Sequence, residues 1–278
     1  MDTAADNRGA TRAAVIAVAC LALLIVLLVV FSFSGDRNVG RWGGFTFEWY
    51  GEFWDNEGVK NAMWVSIRVA LVSTLVSVVL GTLAALALER FTFRGKKVFD
   101  ALLYLPIIIP DVTMAVMMLL FFAEFIDILD AVLGISLTKG FATITLSHIA
   151  FNISFVSVVV RARLAGMGGQ LEEAALDLYA SRWRAFRHVT LPQIMPGIAG
   201  GALLALTLSL DDVVITQFTA GPGSTTLPVY VFGLIRRGVT PLINAVSVIM
   251  LAASILLVAL SLGAERLRGG TTPREAGS

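Results

Sequence analysis

Six long apolar runs, separated by shorter polar or charged stretches, dominate the chain. They lie at roughly Ala13–Phe33, Ala62–Leu88, Val98–Ala123, Phe141–Val160, Pro196–Phe218 and Leu242–Gly263. Each is about 20 residues long or more, enough for a helix to cross a hydrocarbon core of ~30 Å. The pattern predicts an all-α polytopic membrane protein with six transmembrane helices in one domain, residues 1–278. The first run follows Arg8 and Arg12, as a signal peptide would. It is longer than a usual signal core, and "FSFSGD" after it lacks a small-x-small cleavage site, so a retained anchor is expected. Pro106 and Pro110 each remove a backbone donor and are expected to kink or break the third helix.

Composition supports this reading. Of 278 residues, 57% are hydrophobic and 15% charged, and the mean hydropathy is +0.83, too much apolar material for a water-soluble interior. Surrounding lipid is therefore an expected partner. The net charge of +1 gives no bulk attraction to nucleic acid. Cys20 is the single cysteine, which excludes an intramolecular disulfide and a cysteine metal site.

Lysine and arginine set the orientation. With the N-terminus inside, fourteen fall on the inner side, in four groups. These are Arg8 and Arg12; Arg90, Arg94, Lys96 and Lys97; Arg161, Arg163, Arg182, Arg184 and Arg187; and Arg266, Arg268 and Arg274. Six fall outside: Arg37, Arg41, Lys60, Lys139, Arg236 and Arg237. The bias places both termini in the cytoplasm. Arg68 lies within the second span and is expected to snorkel outward. The first outer loop, "RWGGFTFEWYGEFW", is rich in aromatics that favour the headgroup region; a docking surface is the alternative.

The inner loop from Arg161 to about Met195 is unlike the rest. "GMGG" (Gly166–Gly169) ends the fourth span, and "QLEEAALDL" then reads as a short helix with Glu172 and Glu173 at its positive end. Ala174 and Ala175 are small enough for that helix to sit in another protein's groove. Ser181 can cap a second helix, "RWRAFRHVTL", which Pro192 and Pro196 are expected to close before the fifth span. A solvated loop helix is the bland alternative.

Glu173-Ala174-Ala175, followed by Leu191-Pro192 at the same spacing, resembles the EAA loop of ATP-binding-cassette (ABC) importer permeases. The resemblance implies a type I importer (MetI-like) architecture. It also implies that the loop, with Glu172, Glu173, Ala174, Ala175, Asp177, Tyr179, Leu191 and Pro192, docks on a cytoplasmic ATPase. Tyr179 departs from the pattern, standing where the family has glycine to support a left-handed turn. "GFTFEWY", "ERFTFRGK", "LSLDDVVITQFTAGPGSTTLPVYVF" and "RRGVTPLINAVSVIML" narrow the resemblance to spermidine/putrescine permeases of the PotC/PotI-like type. The implied partners are a second permease, an ATPase dimer, an extracytoplasmic substrate-binding protein and a polyamine substrate. The implied location is the bacterial inner membrane.

Charges inside the spans are the candidate path. A carboxylate at membrane depth costs roughly 2.5–3.5 kcal/mol, so Asp211 and Asp212 are expected to face a polar interior. Counted from Pro196 they lie ~22–24 Å along a helix, in its outer half. Ser209, Asp212 and Thr216 share one face of that helix, Thr207 and Asp211 a neighbouring one. One reading is a polar lining around polyamine ammonium groups; the other is an Asp paired with Arg or bonded to nearby backbone. Asp111 either caps the resumed third helix or joins the path. Gly197 and Gly201 suit close helix packing. Glu124, Asp127 and Asp130 recur every three residues on a short outer segment and read as a solvated face, with attraction of a cation or a basic partner patch as the alternative.

No G-x-x-x-x-G-K-[ST] is present, so ATP and Mg are expected on a partner ATPase, with no cofactor in this chain. No H-E-x-x-H occurs, and no Ser/His/Asp arrangement is evident. His148, mid-span, reads as a packed, hydrogen-bonded residue. The expected function is a non-enzymatic permease subunit. The alternatives are a permease for another small solute, a channel of another class, or a membrane enzyme.

Overall fold

The computed structural model describes residues 3–134, 137–238 and 240–269. Among the described residues the regular structure is helical. The helices are α1 (Thr3–Phe31), α2 (Glu48–Asp55), α3 (Glu57–Arg90), α4 (Lys96–Ile108), α5 (Asp111–Leu133) and α6 (Phe141–Ala165). They continue as α7 (Gln170–Asp177), α8 (Arg182–Ala185), α9 (Leu191–Asp211), α10 (Val214–Thr219), α11 (Leu227–Arg237) and α12 (Pro241–Gly269). A π-helical turn, Phe186–Thr190, joins α8 to α9. Among the described residues five stretches are long and apolar enough to cross a bilayer: Thr11–Phe31, Glu57–Arg90, Asp111–Leu133, Phe141–Ala165 and Arg182–Asp211. The sixth apolar run lies within α12.

Two apolar runs are interrupted, the third at a proline expected to break it and the fifth where one continuous helix was expected. The third, read as Val98–Ala123, is split at Ile109 and Pro110. A residue before proline is pushed to extended backbone, and Ile109 is extended at φ −72°, ψ 133°. The long helix is therefore α5, and Glu124, Asp127 and Asp130 ride on its later turns instead of on a separate outer segment. The fifth, read as one helix from Pro196 to Phe218, ends at Asp211 and restarts at Val214. At its other end neither Pro192 nor Pro196 stops the chain, because Arg182–Asp211 is a single span. The π-helical turn just before Pro192 explains this in part. A wider turn relieves the clash between a proline ring and the carbonyl four residues earlier.

The chain forms two compact units, one within Met1–Lys60 and Val231–Leu256, the other within Asn61–Tyr230 and Leu257–Ser278. In the first, α2 is folded onto the segment before it. Trp49 donates from Nε1 to the Ser34 carbonyl at 2.7 Å, and Phe33 stacks on Phe45 and Tyr50. Phe53 is fully buried, while Trp42, Phe47 and Trp54 stay exposed. The aromatic loop is thus a small folded knot with an outward aromatic face.

In the second unit α6 is the most enclosed span, and its buried surface carries Thr143, Ser147, His148, Asn152, Ser154 and Ser157. Several hydroxyls bond back to their own helix, as Ser147 does to the Thr143 carbonyl at 2.8 Å, which makes polar residues tolerable in a dry interior. α9 is the main packing partner of α6, and small residues set the approach. A side chain at Gly81 of α3 would meet Val156 Cβ at 2.8 Å, and one at Gly201 of α9 would meet Val156 Cγ1 at 3.3 Å. Val156, Val160, Leu164, Ile194, Ala205 and Ala85 form the resulting core. Arg161 of α6 bonds Asp100 of α4 and Glu89 of α3, tying three helices at one end.

Candidate functional site

The two interrupted helices meet. α10 packs on α5, with Met114, Ala115, Phe151 and Ile215 as the buried contact. Between the breaks lies a cleft of about 370 Å³, lined by Pro106, Asp111, Met114, Phe151, Phe155, Leu208 and the continuous stretch Asp211–Ile215. Its floor is aromatic and aliphatic, and its charged groups are three carboxylates.

These carboxylates do different work. Asp212 is mostly buried, its side chain 11% exposed. Its Oδ2 accepts from the Thr216 amide at 2.7 Å and the Thr216 hydroxyl at 2.8 Å, and Oδ1 accepts from the Ile215 amide at 3.2 Å. His148 Nε2 lies 3.3 Å from the same Oδ2. Asp212 thus caps α10, satisfying amides that the break leaves open. Asp211, one residue earlier, is exposed and in no ion pair among the described residues. Asp111 is also exposed, in the first turn of α5, and makes no capping bond, contrary to one of its two expected roles.

Ser209 and Thr216, expected beside Asp212 in a lining, are both buried and turn away from the cleft. Ser209 Oγ is 2.6 Å from His148 Nδ1, and Thr216 Oγ1 is 3.0 Å from Nε2. The helix face drawn from i+3 and i+4 spacing does not exist, because the helix breaks. The three side chains converge nonetheless, all on one imidazole. A Ser/His/Asp grouping is therefore present where the sequence showed none, but it is enclosed, with His148 0% exposed. Its sequence signal was an ionisable residue in mid-span on a helix rich in Ser, Thr and Asn.

The loop at the other end of α9 is open. α7 presents Glu173, Ala174 and Asp177 outward, and Ala175 is half-buried. Glu172 turns inward: Arg90 Nη2 at the end of α3 is 2.6 Å from its Oε2, and the Thr190 hydroxyl donates to the same oxygen at 2.8 Å. Leu191 is half-buried and Pro192 exposed. A second cleft, about 720 Å³, lies between α3 and this loop, with Leu86, Arg90, Glu172, Trp183 and Phe186 on its walls. The sequence singled out Glu172 but not Arg90, its partner 82 positions away.

Tyr179 takes the conformation of the glycine it replaces. Its φ is +61°, and no other non-glycine residue described has a positive φ. The Ala180 amide donates to the Ala175 carbonyl and the Tyr179 amide to the Leu176 carbonyl, both at 3.0 Å. This is the Schellman pairing that closes a helix through a left-handed residue. The ring is 97% exposed.

Among the described residues no group of three or more His, Cys, Asp or Glu side chains is placed to hold a metal ion.

Residues 77–274 match the family described as binding-protein-dependent transport system inner membrane component. The chain is 40% identical over 230 residues to the putrescine transport system permease protein PotI of Escherichia coli K12, covering 82% of this chain and 80% of that protein. It is 36% identical over 255 residues to the spermidine/putrescine transport system permease protein PotC of the same organism, covering 91% and 93%. In fold it resembles a chain of a bacterial alginate ABC transporter, solved in complex with an alginate pentasaccharide-bound periplasmic protein. The TM-score is 0.73 at 18% identity, over 99% of this chain and 100% of that one. The match over most of its length, with the same helical architecture, makes this chain a member of the binding-protein-dependent transport system inner membrane component family.

Proposed function

We propose that this chain is one of two permease subunits of an ABC importer that carries polyamines of the putrescine and spermidine class across the inner membrane. The observation that carries the proposal is the cleft where two helix breaks meet. It offers Asp111 and Asp211 beside the rings of Phe151 and Phe155, a fit for ammonium groups spaced by methylenes. The names of the relatives point to the same substrates. Asp212 belongs to the wall as a cap, and Ser209 and Thr216 support it from behind.

Transport would be alternating access. A partner ATPase pair binds ATP and Mg and grips α7 through Glu173, Ala174, Ala175 and Asp177, with both termini on the same cytoplasmic side. Its closure moves α7, and Glu172 carries that motion to α3 through Arg90 and to α9 through Thr190. An extracytoplasmic binding protein delivers the amine to the opposite face.

The test is ATP-dependent uptake of labelled putrescine and spermidine by the assembled complex in proteoliposomes. Asp211→Asn is expected to lower uptake about tenfold or more, the scale of one charge-assisted contact, without loss of assembly. Uptake that persists at the wild-type rate in Asp111→Asn plus Asp211→Asn overturns the path. Wild-type complex that ignores both amines but moves another small solute overturns the substrate.

A further inference from the structure

We propose that His148 is the positioning residue of the path: it holds the chain broken between α9 and α10, so that Asp212 folds back as a cap and Asp211 is left to the cleft. This deepens the polyamine reading and rests on it for the identity of the substrate.

The break needs such a holder. Leu210-Asp211-Asp212-Val213-Val214 contains neither proline nor glycine, and nothing in it forbids a helix running straight through. What interrupts the helix is the Asp212 side chain, which takes the Ile215 and Thr216 amides. With the backbone of Asp212 extended at ψ 126°, α10 starts afresh. A carboxylate in an apolar setting is kept there only if its remaining lone pairs are engaged. His148 and the Thr216 hydroxyl supply those partners.

His148 also fixes the position of α9 before the break. Its Nδ1 meets Ser209, and Ser209 Oγ lies 3.1 Å from Ser73 Oγ of α3. One placement of hydrogens satisfies the whole line. Ser209 donates to Nδ1, the Nε2 hydrogen points at Thr216 Oγ1 and Asp212, and Thr216 donates to Asp212. Four helices, α3, α6, α9 and α10, are thereby pinned through one ring. The imidazole stands 5.4 Å from the ring of Phe151, which lines the cleft, so it sits directly behind the wall. An apolar side chain at 148 would leave Ser209 and Asp212 each short of a partner. The chain could then recover its amide bonds by closing into one continuous helix, turning Asp211 away.

The experiment compares His148→Ala and His148→Gln in the reconstituted complex. Gln offers an acceptor and a donor in one side chain, in place of Nδ1 and Nε2. The first readout is the concentration dependence of polyamine uptake. Expected is a KM raised about tenfold in His148→Ala, with a smaller change in maximal rate, and recovery of most of that loss in His148→Gln. The second readout needs no substrate: the rate at which a soluble thiol reagent labels Val213→Cys in a Cys20→Ser background. A continuous helix changes the exposure of position 213, so His148→Ala is expected to alter labelling several-fold, and His148→Gln to restore it.

Altered labelling with raised KM supports the proposal. Altered labelling in a complex whose wild type ignores polyamines supports the positioning role and removes the substrate reading instead. Unchanged labelling overturns the proposal whatever the KM does, and lower yield with wild-type KM and labelling in the surviving complex overturns it too, leaving a purely structural histidine.

Discussion

The helix breaks on either side of the Arg182–Asp211 span solve the same problem, how to end one helix and begin another, in opposite ways. At Asp211–Val214 the unmatched amides are taken by a buried carboxylate, itself held by a buried imidazole. At Ala175–Ala180 the carbonyls are taken through a left-handed tyrosine that nothing covers. One end is closed and wired into the bundle; the other is strained and exposed. The contrast matches the proposed work of each: a path must keep its charges in register, whereas a docking loop must offer surface to another protein.

The largest expected effect tests whether the closed end is as interdependent as it looks. Asp212→Ala strips partners from His148, Thr216 and the Ile215 amide at once. Each buried polar group left without its hydrogen-bond partner typically costs about 1–3 kcal/mol, so a steep drop in thermal stability in detergent is expected. Asp211→Ala should cost less than about 0.5 kcal/mol, as an exposed substitution does. Equal losses would erase the distinction between the neighbouring carboxylates.

A second effect probes the packing that brings the wired end together. Gly81→Val puts a branched side chain where Val156 Cβ and the Ile153 carbonyl already stand within 2.9 Å. Overpacking of this kind costs about 1–3 kcal/mol, read as a lower melting temperature of the purified permease. Because Gly81 lies two turns beyond Ser73 on α3, the same change should weaken the His148 network before it touches the loop. Altered labelling at position 213 with unchanged ATPase co-purification would show that order.

How much of this was legible follows from what each feature depends on. The spans were readable because membrane length and apolarity are local properties, and the break at Pro110 because proline acts on its immediate neighbours. The break at Asp212 was not. It depends on a histidine 64 positions earlier, and no pattern within the fifth run records that partner. The same holds for Arg90 and Glu172, which the sequence assigned to separate inner loops. Asp211 and Asp212 were seen as a pair, but adjacency could not say that one is consumed and the other left open. The EAA pattern located the loop and marked Tyr179 as its exception; only the backbone shows that the exception keeps the glycine's geometry.

On the open side, Arg90 and Glu172 are half-exposed, and exposed pairs are worth about 0.2–1 kcal/mol. Arg90→Glu should therefore hardly change stability yet uncouple ATP hydrolysis from uptake, since it removes the strut between α7 and α3. Adding Glu172→Arg restores the pair with reversed charge and should recover part of the coupling, though not the Thr190 bond. A stable variant with normal coupling would show that the loop moves the bundle by another route.

The smallest expected effect falls on Tyr179. A left-handed conformation costs a non-glycine residue roughly 1–2 kcal/mol, and glycine brings back about 0.5–1 kcal/mol through its flexible unfolded state. Tyr179→Gly should therefore stabilise the α7 turn by only about 0.5 kcal/mol, a change confined to slower amide exchange at Ala180 and its neighbours. The interest lies in setting that gain against binding. The strain comes from the Cβ that glycine lacks and is removable by one substitution, and the ring is almost fully exposed. If the ring is a contact for the ATPase, the steadier turn of Tyr179→Gly will come with weaker co-purification. Tyr179→Asn, which tolerates the same φ without the ring, should then behave like Gly in binding. If both variants bind as well as wild type, the tyrosine merely occupies the glycine's place, and the docking face is α7 alone.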